Sequence, residues 1–336
     1  MKPTRLPIAC GLVLAAVFLP GTTWSETSVR GEAALAVNQL TIHGEFSGAI
    51  DSSRSLTASE PDNPVGYLLL ALAYYAINSQ YRNDNYADSV SWALDTTIAL
   101  AERRADREPD PTETYFVLGS AYGCRALYRS IHSGWYGAFK DGVHSSSNLG
   151  KAYQRDSSLT DALSGVGAYH YWKSAKSGIL GVLPFVKDRR KQGIAEILSS
   201  VEAGGFMAVS ARKSLLAIYY NEKQYEEVLA VGDSLASHSL LDPNCSLHIA
   251  RALIKLKRWA EANLTLDRVL AAYENSPYFD TCGCDEVIYL QAEICAGQGD
   301  VIKARQYLQQ ILDDKDRCQK NEYYRQSLSS AQSLKP

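Results

Sequence analysis

One pattern, met twice, restricts the fold more than any single residue. Tyr67-x-x-Leu70-Ala71-x-x-Tyr74 is answered by Tyr115-x-x-Leu118-Gly119-x-x-Tyr122. At helical spacing this sets an aromatic, a large aliphatic, a very small residue and a second aromatic along one helix. The small residue lets a neighbouring helix approach closely, and the larger ones fill the space around the contact. Such a helix cannot bury its apolar face alone, so the pattern predicts a stack of helical hairpins.

Two landmarks agree on the register. Gly44-Glu45-Phe46-Ser47-Gly48-Ala49 reads as a turn followed by the start of a second helix, and Pro61 ends that unit twelve residues after Ala49. A new unit then begins three residues after Pro61, which puts Tyr67 at its first aromatic position. Further along, Tyr219, Tyr225 and Val228 return as Leu253, Trp259 and Ala262, a shift of 262 − 228 = 34. Asp242-Pro243 returns as Ser276-Pro277 at the same shift, and a polar residue before Pro suits a helix start. A linker from Tyr278 to Cys284 leads to a last unit with Ala292 and Cys295 on its first helix, Gly299-Asp300 at its turn and Ala304 on its second.

The 34-residue period and these motifs resemble the tetratricopeptide-repeat family. The resemblance is strong at residues 44–75, 112–122 and 211–312, and looser at 76–110 and 123–205. It implies an all-α solenoid of about seven helix pairs, a right-handed superhelix whose first helices line a concave groove. It also implies a scaffold or adaptor role, because the motif specifies a fold and leaves the partner open. The expected organisation is 1–25 as signal peptide, 26–314 as solenoid with an expanded central segment at 123–205, and 315–336 as a C-terminal tail.

The start of the chain reads as an export signal. Lys2 and Arg5 precede the apolar run Leu6 to Leu19, and Pro20-Gly21 break it ahead of Thr23-Trp24-Ser25. The run is too short for a committed membrane-spanning helix, although an uncleaved anchor is the alternative. Cys10 lies too early in it to be a lipidation site. Removing the signal leaves 34 − 2 = 32 basic against 37 acidic residues. That mild acidity, without a long basic run, argues against nucleic acid as partner. The expected location is periplasmic or secreted, with envelope association and no later membrane span.

The central stretch departs from the plain repeat. Gly165-Val166-Gly167-Ala168-Tyr169-His170-Tyr171-Trp172, with Leu183-Pro184-Phe185 after it, resembles a variant found in exported bacterial repeat proteins. Gly165-x-Gly167 lacks the preceding strand and third glycine of a nucleotide loop, so both are expected as close-packing residues. In the repeat register Tyr75, Tyr171 and Tyr220 each follow the second aromatic position, on the face expected to point into the groove. Arg125, Tyr128, Trp172 and Lys173 are expected to join them, the aromatics as stiff contact area and the cations as charged donors. Packing between repeats is the alternative for these aromatics. The basic run Lys187, Arg189, Arg190 and Lys191 reads as a solvated helix start.

Six cysteines remain beyond the signal: Cys124, Cys245, Cys282, Cys284, Cys295 and Cys318. An even number in an exported chain favours disulfides. With antiparallel helices in each repeat, Cys318 is expected to pair with Cys284 or Cys282, and Cys282 has Cys245 as another candidate. Cys124 and Cys295 read as buried thiols. Cys-x-Cys lacks the usual zinc spacing, so no metal site and no cofactor is expected. His43, His132, His144, His170, His238 and His248 are scattered, and hydrolase and phosphate-binding motifs are missing. The functional expectation is a protein or peptide binder rather than an enzyme. A carrier of a small lipid or glycan, and a hydrolase built around His170, are the rivals.

Overall fold

The computed structural model describes residues 28, 31–132, 134–176 and 187–334. The expected signal peptide and the Leu183-Pro184-Phe185 turn lie outside them. The described chain is all-helical, with no strand, and its helices fall into seven pairs. These are α1 (Glu32–Ile42) with α2 (Phe46–Ser59), α3 (Pro64–Tyr81) with α4 (Ala87–Ala105), and α5 (Thr112–His132) with α6 (Trp135–Arg155). Then come α7 (Ala162–Lys176) with α8 (Arg190–Ala203), and α9 (Ala208–Asn221) with α10 (Tyr225–Ser237). The last are α11 (Pro243–Lys255) with α12 (Trp259–Glu274), and α13 (Asp285–Gln298) with α14 (Val301–Asp313). Two more follow, α15 (Lys315–Cys318) and α16 (Glu322–Ser333).

Four of the pairs share one closely matched turn. Glu45 donates its N–H to the Leu40 carbonyl, Gln224 to Tyr219, Arg258 to Leu253 and Asp300 to Cys295, all at 2.9 Å. Each bond spans five residues and closes the last turn of a first helix, with a left-handed residue inside the loop. Those residues are Gly44, Lys223, Lys257 and Gly299, with φ of 79°, 59°, 60° and 85°. Identical backbone turns at matching positions are the structural counterpart of the sequence period.

The repeated aromatic pattern packs alike in both copies. Ala71 and Gly119 are fully enclosed where the neighbouring helix crosses, and a Cβ on Gly119 would lie 2.9 Å from the Leu149 backbone nitrogen. The Tyr74 hydroxyl accepts from Arg54 at 3.0 Å, and the Tyr122 hydroxyl donates to Glu102 at 2.8 Å. In both cases the partner lies twenty residues earlier, on the second helix of the preceding pair. The α7–α8 crossing is tighter. A Cβ on Gly167 would stand 2.5 Å from the Gly193 carbonyl oxygen, and one on Gly193 the same distance from the Gly167 oxygen. The two backbones touch, as the packing reading of Gly167 requires.

Two expectations need correction, and a third is narrowed. Residues 315–333 are not a loose tail, because α16 buries Tyr323, Tyr324, Ser327 and Ala331 against α13, α14 and α5. Asn321 caps it, its Oδ1 accepting from the Tyr324 N–H at 2.9 Å. Pro277 opens no helix, whereas Pro243 does so with Asp242 as cap. The chain after Pro277 instead packs Tyr278 against Phe46 and Tyr81 before a 3-10 turn, Thr281–Cys284. Cys318 is bonded to Cys282, the second of its two expected partners, while Cys245 and Cys284 are thiols. Cys124 and Cys295 are buried thiols, as read.

The array is closed on itself. First helices run as a continuous row, α1, α3, α5, α7, α9, α11, α13, and α3 near its start touches α11 near its end. Asn38 of α1 donates to the Phe206 carbonyl at 3.0 Å, and Asn83 donates to that of Tyr278 at 2.9 Å. The main core therefore joins α1–α5 to residues far along the chain, including Phe206 and Tyr278.

Gly167→Ala is expected to lower stability by about 1–3 kcal/mol through overpacking. Gly150→Ala, with nothing within 4 Å of the added Cβ, should instead be neutral or stabilising by up to ~1 kcal/mol. Urea midpoints of both variants check this. The Cys282→Ser/Cys318→Ser protein should lose about 3–4 kcal/mol, from the loop entropy of a 36-residue separation. An unchanged midpoint would refute that estimate.

Candidate functional site

The closing contact is built around Arg82, the residue after α3. It sits in the left-handed region at φ 52° and is 6% exposed. Its Nε donates to Glu286 at 2.7 Å, Nη1 to the Ser79 carbonyl at 2.7 Å, and Nη2 to Asn244 at 2.9 Å. Glu286 also accepts from Arg251. The Arg82 carbonyl accepts from Asn321 at 2.9 Å, and its guanidinium lies 5.2 Å from the centre of the Tyr323 ring. One side chain thus joins α3, α11, α13 and the entry to α16. Burial opposes ionisation of Glu286, but Arg251 and Arg82 outweigh it and hold the carboxyl down to about 2.

This closure decides the fate of two expected groove residues. Tyr75 faces Arg82, Cys124 and Tyr323, and burial drives its hydroxyl far above the ordinary range. Tyr128 stacks on His132 with ring centres 4.1 Å apart, and His132 meets Tyr323 edge-on at 6.0 Å. Helix α16 therefore covers the face on which both tyrosines sit. His132 Nδ1 points at the Tyr128 carbonyl at 2.8 Å, and Nε2 at Asp84 Oδ1 at 2.7 Å. Both partners only accept, so the geometry calls for a proton on each ring nitrogen. Burial works against that charge, yet the bonds to Asp84 and Tyr128 prevail and raise the His132 pKa. Asp84 Oδ2 also accepts the Glu322 N–H at 2.7 Å, locking the first turn of α16.

Tyr171 is a core residue and is withdrawn from the groove set. It is fully buried, and its hydroxyl donates to Glu222 at 2.9 Å and accepts from Asn221 at 2.7 Å. Gly193 of α8 lies against its backbone, and the side chain packs in a core with Ile197 of α8 and Ala211, Leu215 and Ile218 of α9. Trp172, next along the helix, is half-buried and meets the Tyr171 ring edge-on at 5.0 Å. Lys173 lies 5.3 Å above the Tyr169 ring. Arg125 is occupied: it grips Asp141 with Nε and Nη2 at 3.0 and 2.9 Å, and Asp95 with Nη1 at 2.7 Å. His170 pairs with Glu196 at 2.7 Å. The expected set therefore divides among three places.

Tyr220 belongs to the part of the row that stays open. It is half-exposed, beside Tyr225 at 5.5 Å and within electrostatic reach of Arg251, Lys255 and Glu293. Lys255 donates to Glu293 at 2.6 Å, and Tyr289 shares the neighbourhood of both. These side chains come from α9, α11 and α13, and all retain solvent access. Arg251, Lys255, Tyr289 and Glu293 were missed in the sequence, because the linker before α13 breaks the period. The turn bonds of α9 and α11 lie 253 − 219 = 34 residues apart, but those of α11 and α13 lie 295 − 253 = 42 apart, which puts Arg251 and Glu293 at one register position.

His248, on α11 between Arg251 and Arg82, is kept neutral. Burial is the main cause, the two guanidinium charges add to it, and its pKa falls to about 3. Among the described residues no cluster of three or more His, Cys, Asp or Glu has metal-holding geometry. No protein-family model matches the chain, and no characterised protein matches it in sequence.

The two closure histidines should titrate in opposite directions. The raised His132 pKa gives stability that is full below about 6.5 and lost as pH rises through the folded value. The lowered His248 pKa means that only the unfolded chain takes up that proton between about 6.5 and about 3, so acid costs stability there. Imidazole NMR titration should find His132 charged above 6.5 and His248 neutral down to about 3. A His248 resonance titrating near 6.5 would show that the Arg82 contact opens in solution.

Proposed function

We propose that the chain is an exported tetratricopeptide-type binding protein that holds a peptide or protein segment along the open faces of α9, α11 and α13. The observation that carries this reading is the half-exposed cluster of Tyr220, Tyr289, Arg251, Lys255 and Glu293 on one stretch of the first-helix row. Two tyrosines offer stiff apolar area with a polar tip, and the flanking charges supply donors and acceptors for a polypeptide backbone. The exposed Lys255–Glu293 pair contributes about 1 kcal/mol or less to stability, so a ligand can separate it at little cost. The helices are already formed, so binding orders few receptor groups.

In the tetratricopeptide reading the first helices line the concave side of a right-handed superhelix, and Arg82 and α16 fill part of it. Export rests on the basic, apolar and cleavage-site segments of residues 1–25, and the Cys282–Cys318 disulfide suits an oxidising compartment such as the periplasm. No helix among the described residues is long and apolar enough to cross a membrane.

Selection of a displayed random-peptide library on the purified protein tests the proposal. Enriched peptides should bind the Tyr220→Ala/Tyr289→Ala protein at least tenfold more weakly, and Lys255→Glu should change the preferred charge of the peptide. Failure to enrich any peptide, or equal binding to the double variant, would overturn it.

A further inference from the structure

We propose that the shelf where α6 begins and α7 ends docks on an anionic lipid surface. Trp135, Phe139 and Val143 recur every fourth residue on α6, with Tyr136 and Lys140 beside them. Tyr169, Trp172, Lys173 and Lys176 form the facing stripe on α7. Ring contacts join the stripes: Phe139 and Tyr169 lie 6.3 Å apart, and the Lys176 ammonium stands 5.9 Å from the Trp135 ring centre and 5.7 Å from that of Trp172. A single cation thus sits between two indoles.

Among the described residues the shelf is apolar and uncovered. Tyr136 is 83% exposed and Val143 39%, and Trp135, Phe139, Tyr169 and Trp172 keep part of their surface in water. Its charge is of one sign. Lys140, Lys173 and Lys176 enter no ion pair among the described residues, while Asp141 on α6 is engaged by Arg125 and Arg129, and Glu196 on α8 by His170. Indole and phenol rings prefer the headgroup level of a bilayer, where the ring meets hydrocarbon and the polar edge stays hydrated. Lysines interleaved with them are drawn to anionic headgroups. The shelf is remote in sequence and residues from the peptide-binding face proposed above, so either proposal can fail without the other.

The test uses the full chain in a Cys284→Ser background, with a nitrobenzoxadiazole fluorophore attached through Tyr136→Cys. A second protein carries the label through Ile302→Cys on α14, at a side chain 76% exposed. With phosphatidylglycerol vesicles the label at position 136 should brighten and shift to the blue, and the label at 302 should not. Lys140→Glu/Lys173→Glu/Lys176→Glu should weaken the response at least tenfold, with an unchanged circular dichroism spectrum confirming the fold. No response at 136, an equal response to phosphatidylcholine vesicles, or indifference to the charge reversal would each overturn the proposal.

Discussion

The arrangement depends on a buried guanidinium. Arg82 ends a first helix of the second pair and makes its hydrogen bonds to Glu286 of the seventh pair and Asn244 of the sixth. A stack whose units touch only their neighbours is quasi-one-dimensional and leaves its inner row open. Here the Arg82 contact couples units more than 160 residues apart, as the 162-residue separation from Asn244 shows. Breaking such a pair would leave a charge buried without its partner, so the closure is expected to be all-or-none rather than gradual.

That closure sorts the inner face into used and unused parts. Tyr75 and Tyr128 serve the contact with α16, where Tyr323 meets Arg82 and His132. Tyr220 lies farther along the row, and its neighbours on α11 and α13 remain open to solvent. The same residue type at the same register position thus has different work in different units. The disulfide reinforces the division, since Cys318 precedes the Asn321 cap by three residues and ties the base of α16 to the 3-10 turn before α13.

The repeat was legible because its causes are local. A helix that must accept a neighbour needs a very small residue at the crossing, and Ala71, Gly119 and Gly167 were each identifiable for that reason. The turns were legible at Gly44 and Gly299, but Lys223 and Lys257 take the same left-handed conformation without announcing it. The site was legible only in part. Register placed Tyr171 on the groove face, yet α8 and α9 bury it in a core with Ile197, Leu215 and Ile218. Residues 315–333 looked like a tail because the apolar stripe on α16 is short and carries two tyrosines, which suit solvent as well as core.

By itself the sequence determined an all-helical chain of paired helices, the positions of most pairs, and a short set of partners for Cys318. These follow from helical periodicity, turn chemistry and residue size, which act over a few neighbouring residues. Tertiary structure alone decided that the row closes, that Cys282 rather than Cys284 takes Cys318, and that α16 occupies the face beside Tyr75 and Tyr128. The choice of cysteine is made within the last unit, where the 3-10 turn before α13 sets Cys282 beside Cys318. The closure depends instead on the accumulated curvature of many units. Small rotations at every helix crossing sum to bring Arg82 to Glu286, and no local pattern encodes that sum.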